Sequence, residues 1–225
     1  MNTKLYTGNG GTNAITGVGF EPSFTWIKRR DASAWHYLFN SIRGANKTLY
    51  SNLDAGETTD TNNLQSFDSD GFTVGTQADI NASGGSFASW NWKANGAGST
   101  NYDGSINSTV SANTASGFSV VSFTGNGTGG ATVGHGLGAV PKMYIVKNLS
   151  TTSTSWRTYH ASLGATKFMA LEHNYAEASA TGVFNDTEPT SSVFSLGSDD
   201  GANKSGDNLI AYCFADVTGY SKFGS

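Results

Sequence analysis

Charge is scarce in this sequence. Only 13% of its 225 residues are Asp, Glu, Lys or Arg, and they balance at −4. No basic run extends beyond Lys28-Arg29-Arg30. A nucleic-acid binder presents a positive face, so nucleic acid is excluded as a partner. Cysteine occurs once, as Cys213 between Tyr212 and Phe214. An internal disulfide is therefore impossible, and the thiol reads as a buried structural group. No stretch approaches the roughly 18 apolar residues that mark a membrane span. The opening Met1-Asn2-Thr3-Lys4 lacks the apolar core of a secretion signal. Ala, Leu, Glu and Lys are nowhere combined into a long periodic stretch, which weighs against a helical body.

What the chain does have is glycine, aromatics and repetition. There are 29 glycines, 13 Phe, nine Tyr and five Trp, and the aromatics suit a pleated, half-buried surface. The two halves of the chain match in order. Tyr6-Thr7-Gly8-Asn9-Gly10 is answered by Phe123-Thr124-Gly125-Asn126-Gly127, and Pro22 to Lys28 by Pro141 to Lys147. Trp35 pairs with Trp156, Ser41 to Lys47 with Ser162 to Lys167, Phe72 to Gly75 with Phe194 to Gly197, and Phe87 to Trp92 with Leu209 to Phe214. The offset drifts only from 117 (Tyr6 to Phe123) to 122 (Phe72 to Phe194). A repeat on this scale sets the architecture. It preserves the apolar pattern and the turn glycines, whereas residues able to do chemistry mostly do not recur.

Each copy reads as short strands cut by turns, the pattern of a sandwich or barrel. Strands are expected near 3–7, 13–19, 23–29, 35–40, 47–51, 71–76 and 85–93, then 105–111, 117–124, 131–135, 142–148, 156–161, 167–172, 192–196 and 208–216. One short helix is expected over 172–180, and a last strand over 220–225. That strand either completes a sheet or begins a third copy in a longer array. Pro22 and Pro141 open their strands, where a missing N–H costs nothing. The segments 24–28 and 143–147 are apolar on both faces, which places them between packed layers, with Trp26 in the core. The expected fold class is all-β: two tandem, internally duplicated β-sandwich units of jelly-roll or lectin-like form, over 1–96 and 104–225, joined by a Gly- and Ser-rich linker at 97–103.

Several of these blocks together carry a family resemblance: Tyr6 to Gly10, Ile15 to Pro22, Ser41-Ile42-Arg43-Gly44, Ser66 to Phe72, Val133-Gly134-His135-Gly136-Leu137-Gly138, Ile210 to Phe214 and Gly219 to Gly224. In them the chain resembles, over nearly its whole length, an uncharacterised repeat domain of bacteriophage virion and tail-fibre-like structural proteins, common in marine phages including cyanophages. The resemblance implies a non-enzymatic structural or adhesion protein of the virion, assembled in the host cytoplasm. It implies other virion proteins as partners and a homo-oligomer, a trimer if the chain belongs to a fibre. It carries no catalytic residue.

The candidate sites are few. Gly125 to Gly130 satisfies Gly-x-Gly-x-x-Gly, but strand residues follow where a dinucleotide site needs a helix, so it reads as a turn. His36, His135, His160 and His173 show no metal-ligand spacing, and His135 between two glycines reads as a backbone constraint. The acidic stretch 54–60 and Asp199, Asp200 and Asp207 offer oxygen ligands but not the twelve-residue calcium-loop order. They read as loop carboxylates, and neither a cofactor nor a metal is expected. No nucleophile elbow occurs, and no carboxylate pair stands out for glycoside hydrolysis, which leaves a polysaccharide depolymerase as an alternative without residues to carry it. The remaining alternative is a carbohydrate-binding, lectin-like module facing host-surface glycans. Trp35 and Trp156 are its candidate stacking platforms, each following a variable loop. Core packing is the stronger reading of both rings.

Overall fold

The computed structural model describes residues 1–224. The chain is all-β, built from several antiparallel sheets with no closed barrel. It divides into two compact units. The first comprises Met1–Asn52 and Glu57–Ala97, and the second Leu53–Gly56 and Gly98–Ser225.

In the first unit the strands are β1 (Asn2–Thr7), β2 (Asn13–Thr16), β3 (Phe24–Arg29), β4 (Tyr37–Asn40), β5 (Lys47–Tyr50), β6 (Thr58–Thr59), β7 (Leu64–Asp68) and β8 (Gly71–Val74). A one-turn helix, α1 (Ala78–Asn81), precedes β9 (Ser86–Trp92). The main sheet runs β1-β9-β3-β4-β5-β6 and a smaller one β2-β8-β7. Strand alternation sends Ile27, Tyr37 and Phe39 to one face of the main sheet, where they are buried with Phe87. The small sheet contributes buried Ile15, Leu64, Phe72 and Val74, and α1 contributes Ile80. Burying each such side chain contributes roughly 1.5–3 kcal/mol.

In the second unit follow β10 (Ser99–Asn101), β11 (Ser108–Asn113), β12 (Phe118–Thr124), β13 (Ala131–Gly134), β14 (Met143–Asn148), β15 (Arg157–His160), β16 (Lys167–Ala170) and β17 (Ala178–Ser179). They are completed by α2 (Thr181–Phe184), β18 (Val193–Leu196), α3 (Asp200–Asn203) and β19 (Asn208–Phe214). The main sheet runs β10-β11-β12-β19-β14-β15-β16-β17, and β13 pairs with β18. From β12 onward this is the same sequence of connections as β1-β9-β3-β4-β5-β6. A continuous core joins Val121, Tyr144, Val146, Leu209 and Cys213 of the main sheet to Val133, Phe194 and Leu196 of the small one and Val183 and Phe184 of α2. The arrangement is β-sandwich-like.

One buried asparagine organises the Gly-Asn-Gly turn in each unit. Asn81, at the end of α1, donates to the carbonyls of Gly11 (2.6 Å) and Gly75 (2.7 Å) and accepts from the Asn9 N–H (3.0 Å). Asn203, at the end of α3, donates to Thr128 O (3.0 Å) and Gly197 O (2.8 Å) and accepts from the Asn126 N–H (3.0 Å). The leading glycine of the turn is required by close approach. A Cβ on Gly8 would sit 2.2 Å from Ala82 O, and one on Gly125 2.3 Å from Lys204 O. The glycine run 125–130 is thus a turn between β12 and β13, held by Asn203.

Several sequence expectations change. Ser99–Asn101, placed in a linker, forms the edge strand β10 against β11. The strand expected over 105–111 starts at Ser108, and Ile106 instead bridges to Val133. No helix forms over 172–180. Ala178–Ser179 pairs as β17, and the helical turn comes later, at Thr181–Phe184. A nine-residue helix is marginal alone, and the hairpin is held instead by Lys167 reaching Glu177 at 3.1 Å. The strands β6, β7, β10 and β17 and all three helical turns were not foreseen. The last strand expected over 220–225 does not form over its described residues 220–224: a turn closes with Val217 bridging to Ser221, and Phe223 packs on Phe214 at 5.5 Å; Ser225 lies outside the described residues.

Candidate functional site

The second face of the first unit's main sheet carries the exposed chemistry. Register places Phe24 beside Trp92 and Trp26 beside Trp90. The rings of each pair touch, at 5.1 and 6.4 Å. Trp26, expected in the core, is only half-buried, as are Trp90 and Lys28. Phe24 at the head of this same-face run is buried, and Trp26 and Lys28 after it open toward solvent beside Trp90 rather than into an inner layer. Lys28 Nζ donates to the carbonyl of Ala34 at 2.7 Å. This bond pins the loop that delivers Trp35 and His36. The His36 pKa is depressed, first by partial burial and then by the Lys28 charge, so the ring is neutral at pH 7. Its N–H backbone group donates to Asn52 Oδ1 at 2.9 Å.

Trp35 is 48% exposed and leans edge-on against Tyr50 at 5.1 Å. It is well placed to offer an indole face to a ligand. Trp156 is not. It is fully buried, stacked on Tyr212 at 6.4 Å, with Nε1 donating to Leu53 O at 3.0 Å. It is withdrawn as a stacking platform. The sequence match of the two tryptophans was also one residue out. The Trp156 N–H donates to Glu172 Oε2 as the His36 N–H donates to Asn52 Oδ1, so His36, not Trp35, holds the position of Trp156. A one-residue slip in an extended segment turns a side chain to the other face. That is why Trp35 meets Tyr50 of β5 while Trp156 meets Tyr212 of β19.

Around Trp156 the second unit repeats the lysine bond in enclosed form. Lys147 Nζ donates to Thr154 O and to Asp54 O (2.9 Å), and lies 5.9 Å from the Trp156 ring. The ammonium is fully buried. Burial pushes its pKa down to about 8, against the opposing pull of Glu172 and Asp54. The segment Leu53–Gly56 lies over this lysine as a close cover: a Cβ on Gly56 would come within 2.9 Å of Leu149 O. Sequence reasoning passed over Lys28 and Lys147, although both end the best-matched block of the repeat, and that recurrence was the available signal.

The other expected groups serve the scaffold. His135 is buried, with Nε2 against Thr190 O at 3.2 Å and Nδ1 accepting from the Leu137 N–H at 3.2 Å. Burial lowers its pKa. Asp199 caps α3 at the Gly201 N–H and takes two bonds from the Arg157 guanidinium, each 2.9 Å. Asp207 accepts from Asn148 Nδ2 and Thr151 Oγ1, and these bonds hold its pKa down. Glu57 pairs with Arg43 at 2.9 Å and Lys47 at 3.3 Å. No group of three or more His, Cys, Asp or Glu side chains converges to hold a metal among the described residues. Cys213 is buried, and burial pushes its thiol up to about 12. A short contact from the Tyr159 hydroxyl to Glu188 was not anticipated; Glu188 also accepts from the Ala165 N–H at 2.8 Å.

A family model described as a domain of unknown function (DUF7483) matches residues 1–225. No curated protein and no solved structure matches the chain.

Proposed function

Because the chain belongs along its whole length to the DUF7483 family, a domain of unknown function, we propose a function for it from its own geometry and its resemblance to phage virion repeat domains. It is a non-enzymatic structural and adhesion protein, built by duplication of one β-sandwich unit, and it serves on a virion as part of a fibre or a surface decoration. The shared order of strands and the paired Asn81 and Asn203 turns support the duplication. What the two units have in common is a way of holding turns, not a set of reactive groups. Such a protein works by display: a weak site repeated over many copies becomes a strong one.

The contact reading rests on Trp35. Its indole stands 48% exposed against Tyr50, beyond the loop 31–34 that Lys28 anchors. Flat apolar sugar faces stack on such rings, and a large aromatic on a rigid support loses little entropy on binding. The surface it faces is a host-cell glycan. The test is a glycan array probed with the parent chain and with Trp35→Ala. Signal on host-type glycans that disappears in the variant is the expected result, and a blank array sinks the glycan contact. Immunogold labelling of purified particles tests the virion setting; particles free of label overturn it. Incubation with host polysaccharide tests the absence of catalysis, and released oligosaccharides would convert the reading to a depolymerase.

A further inference from the structure

The two lysine sites differ in one respect that points to a partner. In the second unit, Lys147 and Trp156 bind a strip of backbone: Nζ takes Asp54 O and Nε1 takes Leu53 O. That strip, Leu53–Gly56, is the connection from β5 to β6. The lysine of the first unit is built in the same way. Lys28 sits at the Lys147 position of its strand and donates to Ala34 O as Lys147 donates to Thr154 O. Among the described residues, however, no backbone strip crosses Lys28. It keeps donors in hand, and Trp26, Trp90 and His36 beside it are half-buried rather than sealed.

The matching strip is also present and unseated. The connection from β16 to β17 corresponds to β5 to β6, since Lys167 pairs with Glu177 as Lys47 pairs with Glu57. By that alignment His173, Asn174, Tyr175 and Ala176 stand for Leu53, Asp54, Ala55 and Gly56. All four are exposed, Tyr175 at 70%. The chain therefore holds one acceptor without a strip and one strip without an acceptor.

We infer that the 173–176 connection of one copy docks on Lys28, His36, Trp26 and Trp90 of a second copy, as Leu53–Gly56 docks on Lys147 and Trp156. The occupant is a second copy of this chain, because the repeat itself encodes both halves of the contact. The Lys28 ammonium would take the carbonyl of Asn174, and the Tyr175 ring would meet the Trp26–Trp90 strip. Donor and acceptor are different patches, so the contact is heterologous and grows into an open row or a ring rather than stopping at a two-fold dimer. The inference stands on the two lysine sites and not on the virion reading or on Trp35, so glycan binding would survive its failure.

Sedimentation velocity over a concentration series gives the test. The parent chain is expected to gain mass with concentration. A strip-blocked variant, Asn174→Gly with Tyr175→Gly, keeps the carbonyl but loses the ring that meets Trp26 and Trp90 and the order of the strip, and an acceptor-blocked variant, Lys28→Glu, reverses the charge; each is expected to stay monomeric and folded, the second melting lower because it loses the bond to Ala34. Mixed in equal amounts they retain one good acceptor and one good strip, so they should form a one-to-one dimer and nothing larger. A parent chain that stays monomeric to its solubility limit overturns the inference, as does a mixture of folded variants that yields no dimer. Should Lys28→Glu fail to fold, cross-linking decides. Lys28→Cys on one copy and Asn174→Cys on another should join through a short bis-maleimide, because native Cys213 is buried, and absence of that product overturns the inference equally.

Discussion

The two units fill the same place differently. At the centre of its main sheet the first unit buries Thr25, Ser89 and Asn91, linked by a bond from Thr25 Oγ1 to Asn91 Oδ1 (3.1 Å) and one from Asn91 Nδ2 to Ser89 Oγ (3.0 Å). Register puts Tyr144, Ala211 and Cys213 at those positions in the second unit. There Tyr144 stacks on Tyr159 at 4.7 Å and on Phe194 at 4.9 Å. A hydrogen-bonded interior and an aromatic one thus support one order of strands. The interior chemistry cannot be what fixes that order. What both units keep is the glycine-led turn, the asparagine that closes it and the lysine at the end of the central strand. The layout is set by the backbone's close approaches, and the fill is adjustable within a given volume.

The comparison is broken most forcefully at the two tryptophans. Trp156→Ala removes a fully buried ring and leaves the Leu53 carbonyl without its indole donor, and is expected to cost about 3–5 kcal/mol. Trp35→Ala strips a half-exposed ring from Tyr50 and should stay within about 1 kcal/mol of the parent. Urea unfolding followed by far-ultraviolet circular dichroism measures both. Equal losses would mean that Trp35 is as much a core residue as Trp156.

Next comes the asparagine that the units share. Asn81→Ala and Asn203→Ala each leave several buried backbone groups of a turn unsatisfied, and each should cost roughly 2–4 kcal/mol. The readout separates the units. Trp26, Trp35, Trp90 and Trp92 lie in the first and Trp156 in the second. Tryptophan fluorescence therefore follows mainly the first unit, and the urea midpoint it reports should drop further for Asn81→Ala. A loss confined to one variant would show that the two turns are held by different means despite their matched bonds.

These residues also mark how far the sequence could be read. The all-β class and the matched blocks were legible because glycine and apolar positions follow backbone demands that can be counted. The central strands 24–29 and 143–148 came through for the same reason. Strands such as Thr58–Thr59 and Ser99–Asn101 were not legible, since two or three polar residues in an edge ladder carry no periodic signal. The candidate site was half legible. Trp35 was found as an aromatic after a loop, but its supposed twin Trp156 proved to be core, because a one-residue shift before β4 and β15 is invisible in a block match. Asn81 and Asn203 escaped notice because their role depends on two carbonyls from separate segments meeting at one point.

A smaller difference separates the helical caps. Asp199 both caps α3 and holds Arg157, and its side chain is three-quarters buried with an exposure of 23%. The corresponding cap of α1 is Gln77, which accepts from the Asp79 N–H at a long 3.4 Å. Asp199→Ala should cost about 1–2 kcal/mol and Gln77→Ala a few tenths of a kcal/mol, roughly 0.3, by thermal melting. Asp199→Asn should fall between, since it keeps the cap and loses the charge. An Asp199→Ala loss no larger than that of Gln77→Ala would make the guanidinium pair a surface ornament.

The last contrast is titratable and belongs to the second unit alone, because the first has Asn91 where the second has Cys213. Burial raises the Cys213 thiol from about 9 to about 12. The folded unit holds its proton where the unfolded chain releases it. The unfolded state therefore binds fewer protons above pH 9, and stability present below pH 9 is lost progressively as pH rises toward 12. The loss reaches about 1.4 kcal/mol by pH 10, one pH unit above the free thiol value. Lys147 works in the opposite sense. Its folded pKa of about 8 lies below the unfolded value of 10.5, so the unfolded chain binds more protons between them and stability rises with pH across that window. From pH 8 to 9 the lysine outweighs the first ionisation of the thiol, and the second unit should gain. Above pH 9 the two oppose each other in the parent. Cys213→Ala removes the falling component, so between pH 7 and 10 its stability should climb relative to the parent by about 1.4 kcal/mol after correction for the cavity at pH 7. A constant difference between parent and variant from pH 7 to 10 would mean that the thiol ionises in the fold as freely as in water, and that the aromatic interior around Tyr144 is wet.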